Sequence, residues 1–335
     1  MRIDVFSHFA PAAYAAHVER LPAGRAVVPR WRRIETLVDL DARLELLDRF
    51  GDYAQIPSLP NPPIEALART EAEAIEVARA ANDALAELCA RHPDRFPSFV
   101  ANLPMSHPDA AVEEAERAVR QLGAAGCLVY TNVLGAPLSE PRFAPIFEKA
   151  AELDRPIWLH PIRGPEHADY PGEPRSEHEI WFTFGWPYET AAAMARLVFC
   201  GLFDRLPDVK IITHHLGGLV PYLEGKIAVG FRQAGEGSLD RNPVAEEAGL
   251  RHPPLDYFRM FYADTAVNGM GAALDCGLAF FGPDRCLFAS DAPFDPLGGR
   301  HLIGENVRMI DEAGLAPAAR ERILNGNARR LLRLK

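Results

Sequence analysis

Short apolar runs alternate with longer segments of helical period along the chain. In the helical segment ETLVDLDARLELLDRFG, for example, Leu37, Leu40, Leu44 and Leu47 share one face and Gly51 ends the helix. Eight apolar runs have the length and composition of buried strands, at residues 3–8, 52–58, 96–103, 126–132, 156–161, 209–215, 260–266 and 286–293. Strands that alternate with helices predict an α/β fold with a parallel sheet, and eight strands close a (β/α)8 TIM barrel. An open doubly wound sheet is the rival, but no GxGxxG follows the first strand.

The length of 335 residues would allow two domains, but one barrel of this size is common. We therefore predict a single barrel domain over residues 1–335, with insertions in the loops at its rim. The sequence has no run of about 18 apolar residues, and its N-terminus has no basic region followed by an apolar run. These features predict a cytoplasmic protein that does not bind a membrane.

The formal net charge of -10 makes nucleic acid an unfavourable partner. A small anionic substrate is still allowed, because a nearby arginine can outweigh a distant net charge. The five cysteines are widely spaced and form no CxxC pair. They are typical of reduced thiols in a reducing compartment, and not of a disulfide framework or a zinc knuckle.

Polar residues stand at the end of nearly every predicted strand. They are His8, Ser58, Asn102, Thr131 or Asn132, His160, His214 or His215, Asp264, and Asp291. Each has an ordinary explanation when taken alone, such as a buried hydrogen-bonded histidine or a turn aspartate. Together they favour a functional site, because the carboxyl ends of barrel strands meet at one rim.

The segments IDVFSHFAP, LHP, WPYETAAAMARLVFCGLFDRLPDVKIITHHLGGLVPY, FYADTAV and LFASDAPF resemble the amidohydrolase superfamily. Within this amidohydrolase-related family, they are similar to the branch of aminocarboxymuconate-semialdehyde decarboxylase and the resorcylate-type decarboxylases. The resemblance covers almost the whole chain. It implies a TIM barrel, a homodimer or higher homo-oligomer, and a divalent metal, usually zinc.

The same resemblance implies that His8, His160 and Asp291 hold the metal and that His215 and Asp291 are catalytic. His215 would activate or orient the metal-bound water, and we expect its neighbour His214 to point the other way. Imidazole nitrogens and a carboxylate suit Zn²⁺, which lowers the pKa of bound water to about 7. A histidine beside the metal can exchange a proton near neutral pH.

Position 6 departs from the family pattern, which has HxH or ExH at the end of the first strand. Strand alternation predicts that Asp4, Phe6 and His8 point to one side, and Phe6 cannot bind a metal. Three outcomes are open. The metal is held by three protein ligands and an extra water, Asp4 helps to bind it, or the site has lost its metal.

Several residues are candidates for substrate binding. Arg32 and Arg33 lie after the first strand and either hold a substrate carboxylate or belong to a solvated basic loop, and Arg163 is a second candidate cation. Trp186 lies in the aromatic segment WFTFGWPYET, which forms either a wall for a flat substrate or a dimer interface. Asp264 either binds a histidine or the substrate, or is a buried structural aspartate.

These features predict an enzyme that acts on a small-molecule carboxylate. The first hypothesis is a metal-dependent carbon–carbon lyase that decarboxylates a small unsaturated or aromatic carboxylic acid. An alternative is a metal-dependent hydrolase or hydratase that acts on a small lactone, ester, amide or alkene acid. A second alternative, which Phe6 favours, is a non-catalytic or metal-free barrel.

Overall fold

The computed structural model describes residues 1–238 and 240–334, and this part of the chain contains ten strands. They are β1 (Arg2–His8), β2 (Tyr53–Ser58), β3 (Val100–Asn102), β4 (Gly126–Tyr130), β5 (Asn132–Val133), β6 (Ala136–Pro137), β7 (Ile157–His160), β8 (Ile211–Thr213), β9 (Tyr262–Asp264) and β10 (Cys286–Leu287). β5 and β6 form a small antiparallel hairpin, and the other eight strands pair in parallel.

The eight parallel strands follow the arrangement of a barrel. One hydrogen-bonded series runs β10-β9-β8-β7-β4-β3, and β1 pairs with β2. The amide of Val5 donates to the carbonyl of Phe288 at 3.0 Å, which joins β1 to the segment after β10. On the other side, the amide of Gln55 donates to the carbonyl of Arg95 at 2.8 Å, just before β3. The predicted (β/α)8 TIM barrel is confirmed.

Helices surround the strands. In the described residues they are α1 (Ala12–Glu19), α2 (Gly24–Trp31), α3 (Glu35–Val38), α4 (Leu40–Asp48), α5 (Ile64–Leu67), α6 (Glu71–Arg91), α7 (Pro108–Leu122), α8 (Ala144–Glu152), α9 (Ile180–Thr183), α10 (Gly185–Phe199), α11 (Leu202–Arg205), α12 (Glu224–Ala234), α13 (Pro243–Glu247), α14 (Pro254–Phe258), α15 (Gly271–Phe281), α16 (Arg300–Glu312), α17 (Pro317–Glu321) and α18 (Asn327–Leu332). None of them combines the length and hydrophobicity that a transmembrane span requires. All five cysteines are free thiols.

One predicted helix is divided in two by Asp39. This residue has an extended backbone between α3 and α4, and its carboxylate accepts a hydrogen bond from the amide of Ala42 at 2.9 Å. An aspartate that caps a helix in this way favours a new start over continuation. The leucine spacing alone did not reveal this break.

A β-bulge in β1 overturns the expectation that Asp4, Phe6 and His8 share one side. The pairing of β1 with β2 shifts between Asp4 and Ser7, and the consecutive residues Val5 and Phe6 both belong to the apolar cluster inside the barrel. Asp4 instead faces the layer between strands and helices, where its carboxylate accepts hydrogen bonds from Tyr53 and Gln55 of β2. The extra residue reverses the alternation, because two residues of a bulged strand oppose one of its partner.

The bulge also removes Asp4 from the list of possible metal ligands. Both carboxylate oxygens are engaged, since Ser290 donates to them through its amide at 3.0 Å and its hydroxyl at 2.5 Å. Arg43 of α4, also fully buried, adds a positive charge near this carboxylate and donates to the main-chain carbonyl of His8. Asp4 thus fixes the base of β1 and does not reach the rim.

Candidate active site at the carboxyl ends of the strands

Three strand ends bring four histidines together at the predicted rim. His8 ends β1, His160 ends β7, and His214 and His215 follow β8. The ring centroids of His8 and His160 are 5.5 Å apart, and those of His160 and His214 are 5.3 Å apart. His215 lies 6.1 Å from His214 on the same measure. Side chains separated by more than two hundred residues therefore form one cluster.

Each of these imidazoles is held at Nδ1 by an oxygen. The Nδ1 atoms of His8, His160 and His215 lie 2.8, 2.6 and 2.6 Å from the carbonyls of Leu59, Pro161 and Ala266, in that order. A carbonyl only accepts, so Nδ1 carries the proton in all three rings. Their Nε2 atoms are left with a lone pair, which is the tautomer that binds a metal or accepts a proton.

His214 is held in the same way by Asp264. Its Nδ1 donates to Oδ2 of Asp264, and both side chains are fully buried. Oδ1 of Asp264 accepts from the amides of His215 and Ala266, each at 3.0 Å. The structure thus shows Asp264 bound to a histidine and also buried against backbone amides, which fits two of its three predicted roles. A role in substrate binding stays a prediction.

Burial and mutual repulsion keep the inner rings neutral. Burial, together with the neighbouring His214 and His8, holds the pKa of His160 well below its usual range. Burial also lowers the pKa of His214, although Asp264 opposes this. Burial alone would raise the pKa of Asp264, but His214 and the hydrogen bonds at the carboxylate outweigh it and lower the pKa. The pair is thus a neutral imidazole that donates to a carboxylate.

The expectation that His214 points away from the site is wrong. Ile212 lies in the inner cluster and the Thr213 hydroxyl contacts Met194 of α10, so alternation turns His214 inward. His215 then adopts a left-handed backbone with φ 52° and leaves the strand, which brings its ring to the same mouth. We expected only one of two adjacent residues to reach the site, but the turn after β8 delivers both.

Asp291 completes the cluster from the segment after β10. Its amide donates to the carbonyl of Phe6 at 2.9 Å, and its backbone has φ 61°. One carboxylate oxygen lies 3.3 Å from Nε2 of His8. The side chain is 22% exposed, so it faces the open side of the site.

Phe6 forms an apolar floor beneath the histidines. Its ring stacks on that of His214, with centroids 3.6 Å apart and an angle of 25° between the planes. The rings of His8 and His160 lie edge-to-face against the same ring, with centroid distances of 4.7 and 5.4 Å. Phe6 is 1% exposed, so the position that holds a ligand in the family pattern here holds a buried ring.

One predicted substrate-binding residue, Trp186, adjoins the site, and Arg163 lies next to Trp186. The ring centroids of Trp186 and His160 are 5.8 Å apart in an edge-to-face arrangement. The indole nitrogen of Trp186 donates to the carbonyl of Arg163 at 3.1 Å. The guanidinium of Arg163 pairs with Glu189 at 3.0 Å. Tyr130, at the end of β4, adds a ring 4.9 Å from that of His160. The walls near His160 are therefore largely aromatic.

The other two predicted arginines are on the surface. Arg32 follows α2 and forms two hydrogen bonds of 2.7 Å with the carboxylate of Glu19, and its side chain is 52% exposed. Arg33 is exposed as well. The structure thus fits the solvated basic loop, the other interpretation of these residues, because Glu19 already occupies the guanidinium of Arg32.

The donor set suits a metal ion in its chemistry. In residues 1–238 and 240–334, however, no group of three or more His, Cys, Asp or Glu side chains has an arrangement that could hold one. Even so, Nε2 of the fully buried His214 has no hydrogen-bond partner, and the other rings keep their protons at Nδ1. The ligand set of His8, His160 and Asp291 stays a prediction.

Comparison with known proteins identifies the family. The amidohydrolase family model matches residues 8–334. The chain belongs to the amidohydrolase family. Among curated relatives of this amidohydrolase, the gamma-resorcylate decarboxylase of Rhizobium sp. strain MTP-10005 is 35% identical, over 91% of this chain and 90% of that protein. The 2-amino-3-carboxymuconate-6-semialdehyde decarboxylase of Dictyostelium discoideum is 29% identical, over 88% of this chain and 77% of its own length.

A solved structure gives the same result for the fold. The dihydroxybenzoic acid decarboxylase of Polaromonas sp. JS666, determined with manganese and the inhibitor 2-nitroresorcinol, superposes with a TM-score of 0.80. The two proteins are 32% identical, and the match covers 99% of this chain and 97% of that one. The predicted relationship to resorcylate-type and aminocarboxymuconate-semialdehyde decarboxylases is confirmed, and the protein is an enzyme of this family.

Proposed function

We propose that this amidohydrolase decarboxylates a small aromatic carboxylic acid at the histidine cluster. The observation that supports this proposal is the set of imidazoles held at Nδ1 beside Asp291, in a mouth with Phe6 as its floor and Trp186 and Tyr130 as its walls. Flat rings pack well against such walls, while the polar edge of a substrate can meet the imidazoles and the carboxylate. The relatives named for resorcylate and dihydroxybenzoic acid are 35 and 32% identical to this chain, whereas the aminocarboxymuconate-semialdehyde decarboxylase is 29% identical, which supports an aromatic acid over an unsaturated one.

We further propose that His8, His160 and Asp291 hold a divalent metal. When bound, the metal would polarise oxygen atoms of the substrate. Zinc is our sequence-based expectation for its identity, whereas the Polaromonas relative contains manganese. Metal analysis of the purified protein decides between them.

His215 is the proposed proton donor. Its Nδ1 is bound to the carbonyl of Ala266, so a proton taken up from solvent resides on Nε2. When the bond between the ring carbon and the carboxyl group breaks, CO2 leaves and the electron pair stays on the ring carbon. The Nε2 proton of His215 then forms the new carbon–hydrogen bond. Asp264 orients this histidine through its main-chain amide.

The test is CO2 release from a panel of dihydroxybenzoic and unsaturated carboxylic acids, with product identity checked by chromatography. We expect the variant His160→Ala to lose at least about 100-fold in kcat/KM, because it removes a proposed ligand. The matched control His301→Ala changes an exposed histidine of α16 and should retain wild-type activity.

Ring opening of lactones or ester hydrolysis without CO2 release would replace the decarboxylase with a hydrolase. Full activity of His160→Ala would contradict the role of the cluster. Activity in protein that contains less than about 0.1 equivalent of metal would support the metal-free alternative.

We also propose that the enzyme is a homodimer. Phe182, Phe184 and Tyr188 are 48, 69 and 57% exposed near the mouth, and such a group of large apolar side chains favours a protein contact. Light scattering tests the oligomeric state. The cytoplasmic location stays a prediction.

A further inference from the structure

The Nε2 atom of His214 is a buried nitrogen without a partner. The residue is fully buried, and Asp264 accounts only for Nδ1. An unsatisfied polar atom in this position costs about 1–3 kcal/mol, so it calls for a physical explanation. The hydrogen bond at Nδ1 fixes the ring and leaves Nε2 with a lone pair.

The spacing between His160 and each of two neighbouring rings suits a shared ion. A metal bound to Nε2 at about 2.1 Å lies roughly 3.2 Å from the ring centroid, so two such ligands at a tetrahedral angle have centroids roughly 5 Å apart. The distances from His160 to His8 and to His214, 5.5 and 5.3 Å, are close to this value. His214 is thus as near to His160 as the proposed ligand His8 is.

The contact with Asp264 matches the usual environment of a metal-binding histidine. Such a ring normally donates its other N–H to a carboxylate or carbonyl, which fixes the tautomer and increases the basicity of the ligand. His8 and His160 use carbonyls for this purpose, whereas His214 has a buried carboxylate. By this criterion His214 is at least as well prepared to bind as the other two.

Position 6 supplies the reason why another ligand is needed. Phe6 provides no donor, and its ring lies flat on the ring of His214. We propose that His214 takes the place of the ligand that position 6 lacks, and binds the metal together with His8, His160 and Asp291. This inference rests on the proposed function in one respect, namely that the site binds a divalent metal.

The first test counts ligands in the intact enzyme. X-ray absorption of the zinc-loaded wild-type protein should require three imidazoles, whereas two imidazoles would overturn the inference. This measurement needs no variant, so a folding defect cannot obscure it.

The second test identifies the ligand. His214→Ala should weaken Zn²⁺ affinity by about 100-fold or more in chelator competition, since even the loss of a residue that only supports a ligand costs about 10 to 100-fold. The matched control His215→Ala removes the adjacent imidazole and should keep the affinity within about threefold. The double variant Phe6→His/His214→Ala restores a donor on β1 and should regain most of the lost affinity. Circular dichroism confirms that each variant is folded.

The outcomes separate this inference from the proposed function. Unchanged affinity in His214→Ala, with a metal bound by the wild type, overturns the role of His214 and leaves the metal enzyme intact. Loss of affinity in His215→Ala alone would also overturn it. A wild-type protein that retains no divalent metal overturns both proposals.

Discussion

At the scale of single residues, the site depends on where protons reside. Oxygen acceptors hold Nδ1 of all four clustered histidines, and burial lowers the pKa of His160 and His214. Neutral rings with a defined tautomer are ready to bind a cation or accept a proton, without a preceding ionisation step. The sequence predicted that histidines gather at the rim. It did not predict which oxygen atoms accept their Nδ1 protons, such as the carbonyl of Leu59.

The half-buried carboxyl group of Glu65 gives a prediction at the same scale. Burial raises the pKa of Glu65 in α5 from 4.5 to about 7, although hydrogen bonds from its own amide and that of Met105 oppose the shift. The folded protein therefore binds more protons than the unfolded chain between these pH values, so stability falls as the pH rises through this window. We expect Glu65→Gln to flatten this dependence by on the order of 2 kcal/mol between pH 5 and pH 8.

Urea unfolding at several pH values measures this effect. Glu71→Gln, at an exposed position in the first turn of α6, should leave the dependence as it is in the wild type. If Glu65→Gln and Glu71→Gln behave alike, the carboxyl of Glu65 has an ordinary pKa.

At the scale of elements, local irregularities place the chemistry. The bulge in β1 turns Phe6 and His8 inward and Asp4 outward, and the left-handed turn after β8 brings His215 beside His214. At Gly218 of this turn, φ is 60° and a Cβ would meet the carbonyl oxygen of Pro187 at 2.5 Å, so the turn tolerates only glycine there.

Strand periodicity predicted which segments reach the rim, and failed where the backbone departs from it. The positions of His8, His160 and Asp291 at the ends of strands were predicted from the apolar runs and from the family resemblance. A period of two could not reveal an extra residue in β1 or a positive φ at His215, because both depend on contacts with distant segments. For the same reason the roles of Asp4 and His214 were misjudged, and Arg43 was missed.

The outward-facing network around Asp4 gives a prediction at this scale. Asp4→Ala leaves the hydroxyls of Tyr53 and Ser290 and the charge of Arg43 without their carboxylate partner. The loss of one partner of a buried charged network costs about 3–5 kcal/mol, so we expect a decrease of this size in the free energy of unfolding.

Chemical denaturation measures this loss, with Asp275→Ala on the exposed surface of α15 as the control. The control should change stability by less than about 0.5 kcal/mol. A similarly small effect of Asp4→Ala would mean that the network contributes little to the fold.

At the scale of the whole molecule, the two ends of the described chain meet in one apolar cluster. Ala328, Leu331 and Leu332 of α18 pack into the cluster inside the barrel, next to Ile3 and Val5 of β1. The number of strands predicted the barrel, but the hydrophobic pattern gave no sign that the last helix covers its lower end. That contact joins residues more than three hundred positions apart, which local pattern cannot specify.

Asn327 anchors this closing helix and gives a prediction for the whole fold. Its side-chain amide donates to the carbonyls of Pro283 and Cys286, each at 2.7 Å, and the residue is fully buried. Asn327→Ala leaves both acceptors unpaired, so we expect unfolding to become easier by about 2 kcal/mol, with a lower melting temperature. Asn325→Ala, which removes side-chain hydrogen bonds with Glu321 and Arg329 near the surface, should have a much smaller effect on the melting temperature. Equal melting temperatures of the two variants would contradict the anchoring role.

The bulge in β1 also has an evolutionary consequence. It separates a residue that maintains the barrel, Asp4, from the neighbouring position that faces the reaction site, Phe6. A mutation at position 6 can therefore change the donors of the site without disturbing the buried hydrogen bonds of Asp4. A substitution at position 6 thus exchanges a donor for an aromatic ring while the scaffold remains intact.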